Sequence, residues 1–268
     1  MHTRKVNKIA LILRKEWLEL RQQRVLIITT IIPPLLFIIL PILIAYVAGH
    51  TSPKGLDGRV NQIGNIIPAF QGLNIYELGQ AVIGQQFGVL LLLLPTIIPS
   101  IIASYSIVGE KTSRTLEPLL ATPVSTTELL VAKTLTAVIP AVAVTWFVAL
   151  VYIVGMRMVA VSDRVFNIIV SPGWLIILLL GGPLLALLVV AATVAVSSKA
   201  NDPRTAQQIS AVVIVPVMGL FAGQVSGVIA LSPLVSFIAV AILAALCVLA
   251  MFIVVKLFQR ETILTKWT

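Results

Sequence analysis

Apolar residues gather in six blocks along the chain, at 25–48, 87–109, 130–156, 173–197, 209–229 and 233–255. A helix needs about 20 residues to cross the hydrocarbon core of a bilayer, which is about 30 Å thick. The pattern therefore predicts six transmembrane helices. Ahead of the first block the pattern becomes periodic. Val6, Ile9, Ala10, Leu13, Trp17 and Leu20 recur at three- and four-residue spacing, with Lys5, Lys8, Lys15 and Glu19 toward the other side. That predicts an amphipathic helix in residues 1–24, lying in the headgroup layer with Trp17 at the interface. It leads into a transmembrane domain of residues 25–268. The fold expected is an all-α membrane protein.

Polar residues mark where several spans begin. Ser171-Pro172, Asp202-Pro203 and Ser232-Pro233 each set a capping side chain before a proline. A proline at the first helical position loses no hydrogen bond, and its φ is already helical. Ser125 and Glu128 have the spacing of a capping box, with Val124 and Leu129 placed as a hydrophobic staple around it. Two connections remain prominent. One is an outer loop of residues 49–86, rich in Gly, Asn and Gln, with room for short surface helices. The other is an inner loop of residues 109–133.

Composition agrees with a membrane protein. Only 11 % of the residues are charged and 59 % are hydrophobic, whereas soluble domains carry about 25 % charge. The net charge of +9 does not point to nucleic acid, because the basic residues form no single stripe. They stand at the ends of the apolar blocks. With the N-terminus inside, only Lys54, Arg59, Arg157 and Arg164 of the 19 Lys and Arg residues fall in outer segments. The positive-inside rule then puts both termini in the cytoplasm. The first block is too long for the apolar region of a signal peptide and no small-residue cleavage pattern follows it, so no cleavable leader is expected.

The chemistry that is missing narrows the class. Cys247 is the one cysteine, and His2 and His50 are the only histidines. Neither a metal site nor a nucleophile–base pair is expected. The chain contains no Walker A sequence, no G-x-S-x-G and no H-E-x-x-H. The membrane interior is expected to be free of ionisable groups, with Lys133 counted to the inner segments. That speaks against a stand-alone ion-coupled carrier or channel, the alternative reading, because such proteins place charges along their path. Thr96, Ser100 and Ser104 share a helical face in the second span and, with Gln224 in the fifth, are candidates to line a pathway. Gly219, Gly223 and Gly227 repeat at four-residue spacing, as in close helix packing, within the protomer or at a dimer seam. Pro33, Pro34, Pro41, Pro95, Pro99, Pro140, Pro183 and Pro216 each free a carbonyl and predict bends.

The most distinctive stretch is the inner loop, GEKTSRTLEPLLATPVSTTELLVAK. It carries Glu110 and Lys111, then Thr115-Leu116-Glu117, Leu119-Leu120, Thr122-Pro123, Glu128 and Ala132-Lys133. This resembles the loop after the second span in membrane subunits of type-2 ABC exporters, the type V transporter fold. Arg114 and Ala132 stand where that family usually has glycine. The resemblance extends to the leader, with Arg14-Lys15-Glu16-Trp17, and to the six-span layout.

The resemblance implies a short cytoplasmic coupling helix between spans two and three, docked on a separate nucleotide-binding ATPase. Glu110, Lys111, Arg114, Glu117, Leu120 and Glu128 are the candidate coupling residues. It further implies a second permease subunit, identical or homologous, in the inner membrane of a prokaryote. ATP and magnesium would be held by the partner, with no cofactor on this chain. Substrate would move outward along the subunit interface.

Overall fold

In a computed structural model, residues 8–22, 24–51, 70–112, 125–197, 202–225 and 232–257 are described. All regular structure among them is helical. Helix α1 is Lys8–Gln22 and α2 is Arg24–His50. Helix α3, Ile75–Leu90, runs through a 3-10 turn at Leu91–Leu93 into α4, Leu94–Thr112. Helix α5 is Thr126–Val159, followed by the short α6, Asp163–Ile169. Helix α7, Pro172–Ile176, passes through a π turn at Ile177–Gly181 into α8, Gly182–Ser197. Helix α9, Pro203–Ser210, continues by a 3-10 turn at Ala211–Val213 into α10, Ile214–Val225, and α11 is Pro233–Leu257. Six of these stretches are long and apolar enough to cross a membrane.

The predicted starts of spans three to six carry their caps. Ser125 and Glu128 form a reciprocal capping box. Ser171 and Asp202 cap helices with proline in the first turn, and the Ser232 hydroxyl accepts the Val235 N–H at 3.3 Å. The second span differs from expectation. It starts at Ile75, well inside the stretch expected to be outer loop, behind a capping box made by Asn74 and Glu77. Glu77, Gln80, Gln85 and Gln86 dilute its apolar pattern, yet Gln80 is fully buried. Its amide donates to the carbonyls of Ala45 (3.0 Å) and Val159 (2.8 Å) and accepts from the N–H of Val161 (2.8 Å). One side chain thus ties the second span to the ends of the first and third.

Three of the predicted bends have a common geometry. Pro95, Pro183 and Pro216 lack an N–H for the carbonyls of Leu91, Leu179 and Val212, four residues back. Each of those carbonyl residues lies in one of the three irregular turns. The helix relaxes locally instead of leaving an orphaned carbonyl in an apolar surrounding. Pro33, Pro34, Pro41, Pro99 and Pro140 sit within continuous α-helix.

The second span forms the centre of the bundle. It is 78 % buried over its most apolar stretch, against 11 % for the sixth. Helix α4 packs on α5, α8 and α9, and α3 on α2 and α6. The sixth span rests on the fourth alone among the larger contacts. Helix α1 lies chiefly along α5, with less contact to α2.

A buried ion pair at the stems of the loop between spans two and three

The leader helix turns a narrow stripe inward. Ile9, Leu13 and Leu20 are half-buried, and Glu16, between the latter two on the same face, is buried. A carboxylate in that position needs partners, since an isolated buried charge is costly. Lys133, in the second turn of α5, supplies one. Its Nζ donates to Glu16 Oε1 at 3.1 Å. It also donates to the Ser106 hydroxyl (2.9 Å) and the Ser106 carbonyl (3.2 Å) on α4. The Ser106 hydroxyl in turn donates to Glu16 Oε2 at 2.7 Å. Both side chains of the ion pair are about 95 % buried. At the edge of the cluster Lys15 lies 3.8 Å from Glu16 and 3.3 Å from Glu19.

This overturns one expectation. Lys133 is an ionisable group inside the third apolar block and inside α5, not a residue of a solvated inner segment. It is accommodated there because Glu16 neutralises it and Ser106 takes two further hydrogen bonds. Two signals in the sequence mark the cluster: an acidic residue on the apolar stripe of the leader, and a lysine within a membrane-length block.

The cluster lies about two turns inside the points where the 113–124 segment leaves α4 and returns at α5. Arg114, Glu117 and Leu120, the core of the expected coupling helix, lie outside the described residues, as does Val124 of the staple. Glu110 and Lys111 belong by their backbone to the last turn of α4. Glu128 closes the capping box: its carboxylate accepts the Ser125 N–H at 2.8 Å, and the Ser125 hydroxyl accepts the Glu128 N–H at 3.1 Å.

The hydroxyl face of the second span is buried within the protomer at Thr96, Ser100 and Ser104. Thr96 donates to the Leu93 carbonyl (2.7 Å) and Ser104 to that of Ile101 (2.9 Å), so both turn back on their own helix. Ser100 Oγ, Gln224 Oε1 and Gln86 Oε1 are buried and have no hydrogen-bond partner among the described residues. Gly219 is exposed, and a Cβ added there would meet nothing within 4 Å. Gly223 is half-buried, and Gly227 lies outside the described residues.

Among the described residues no group of three His, Cys, Asp or Glu side chains could hold a metal ion. Six membrane-length helices, the second of them buried among the others, define a polytopic helical membrane protein. The sequence pattern of a family described as "ABC-2 family transporter protein" matches residues 10–241. The chain belongs to that family and is a membrane permease of the ABC-2 transporter type. No curated protein and no solved structure matches it.

Proposed function

We propose that the chain is the transmembrane subunit of an ATP-binding cassette exporter, moving its substrate outward with ATP hydrolysed by a separate nucleotide-binding subunit. The observation that carries this reading is the family match across residues 10–241. It is supported by the position of the 113–124 segment, which joins two of the helices packed most closely at the centre of the bundle. A push on that segment has a short path into the core. Glu110, Lys111, Arg114, Glu117, Leu120 and Glu128 are the residues assigned to the ATPase contact, and ATP and magnesium belong to that partner. The excess of Lys and Arg on the side of this segment orients it, with both termini, toward the cytoplasm. A bacterial or archaeal inner membrane is the corresponding location.

A second permease subunit completes the pathway. Ser100 and Gln224, with unpartnered acceptor atoms, are the stronger pathway residues. Thr96 and Ser104, bonded to their own helix, are the weaker ones.

Purification from native membranes tests the reading, with partners identified by mass spectrometry and ATPase activity assayed. A stoichiometric ATPase, lost when Glu117 and Leu120 are replaced by alanine, is the expected result. A preparation without ATPase that transports in proteoliposomes lacking ATP would overturn it in favour of an ion-coupled carrier or channel.

A further inference from the structure

The Glu16–Ser106–Lys133 cluster joins three elements that chain order keeps apart. Glu16 and Lys133 are separated by 117 residues and Ser106 and Lys133 by 27. Apolar contact alone is non-directional, so an apolar α1 could slide or roll along α5. Charge-assisted hydrogen bonds fix distance and angle together. Here they hold α1 to α4 at Ser106 and to the second turn of α5, the two helices that the 113–124 segment joins. Helix α1 ends at Gln22 and α2 begins at Arg24, so a displacement of α1 is delivered to the root of the first span.

We propose that Glu16, Ser106 and Lys133 form the joint that passes movement of the 113–124 segment to α1 and the first span. The proposal rests on the permease reading above. It makes Glu16 and Lys133 positioning residues that act through the helices they bind and touch neither nucleotide nor substrate. The first span packs along α5 but has only modest contact with α4, and this joint adds a directional link that reaches both loop stems.

The test uses the full chain with its co-purified ATPase in lipid nanodiscs. Spin labels replace Leu11 on α1 and Leu249 on α11, both exposed, in a Cys247→Ser background. Inter-label distance is measured with and without trapping by ATP, magnesium and vanadate. In the otherwise unchanged protein the distance shifts on trapping. Glu16→Gln is expected to keep the ATPase bound and hydrolysing while the shift is lost. The charge exchange Glu16→Lys with Lys133→Glu is expected to regain it. A merely structural role would lower yield and hydrolysis together and leave the shift intact in the molecules that fold.

An undiminished shift in Glu16→Gln overturns the joint while the permease reading stands. If Glu16→Gln is not recovered folded, Glu16→Gln combined with Lys133→Gln is read instead. It removes both charges together and so leaves no unpaired buried charge, and an undiminished shift there likewise overturns the joint. Absence of any co-purified ATPase overturns the ATP-driven exporter reading proposed above, and the joint with it.

Discussion

At the scale of single residues, the second span is fastened by atoms that tolerate little change. An ideal Cβ on Gly84 would lie 2.5 Å from Ile169 Cδ1 and 2.7 Å from its Cγ1. Ile169 is only 1 % exposed, so it has nowhere to withdraw. Overpacking of this kind costs about 1–3 kcal/mol. Better helix propensity returns up to about 1 kcal/mol. Gly84→Ala should therefore destabilise by up to about 2 kcal/mol, seen as a lower thermal midpoint in detergent. Ile169→Ala should relieve the clash, so the double variant should fall short of the sum of the two single losses. The Tyr152 hydroxyl donates to the Gly84 carbonyl, which extends the disturbance to the third span. Gln80 is the second sensitive point. Gln80→Leu removes partners from two carbonyls and one N–H at once. A loss of about 1–3 kcal/mol is expected. An unchanged midpoint would show that water satisfies those groups at this end of the bundle.

At the scale of elements, the capping box at the head of α5 separates folding from coupling. Ser125→Ala should cost about 1 kcal/mol, the usual worth of an N-cap. Glu128 closes the same box and is also assigned to the ATPase contact; if capping is its whole role, Glu128→Ala lowers abundance with little change in hydrolysis per folded complex. Normal abundance with lost transport-linked ATPase activity would instead place Glu128 at the ATPase contact. Caps of this kind are why spans three to six could be delimited from sequence. Ser125, Ser171, Asp202 and Ser232 act on N–H groups within three residues, so their chemistry is complete in the local string. The start of the second span was not legible in the same way. Between 75 and 86 the apolar signal is interrupted by Glu77, Gln80, Gln85 and Gln86, and Gln80 is buried only because Ala45, Val159 and Val161 meet it there. Prolines were legible as bends, but not which would bend. The irregular turns occur before Pro95, Pro183 and Pro216, while Pro99 and Pro140 remain in regular helix. The ion pair was hidden for the same reason as Gln80. A lysine in an apolar block and a glutamate on an apolar stripe become one feature only when α1 lies along α5.

At the scale of the whole molecule, the uneven burial of the spans shows which surfaces the protomer does not cover. Spans one and five are each 22 % buried over their most apolar stretch and span six 11 %, and lipid can solvate all three. A glycine facing lipid gains nothing from being small, whereas against another helix it permits close approach. Gly219 is exposed, and Val215, one turn earlier on the same helix, is 65 % exposed. If the second permease subunit packs on the fifth span, Gly219→Ile should leave the protomer about as stable as before, because Gly219 is exposed and a Cβ there meets none of the described atoms within 4 Å. It should also separate the two subunits, read as a fall in mass of the detergent-extracted complex by light scattering. Phe252→Ala on the sixth span, where Phe252 is 65 % exposed, makes the complementary change, and it should leave the mass unaltered. The reverse outcome, an intact complex with Gly219→Ile and a smaller one with Phe252→Ala, would move the seam to the sixth span. It would also remove Gln224, on the same helix as Gly219, from an intersubunit pathway. The pair of variants therefore locates the surface along which substrate would travel.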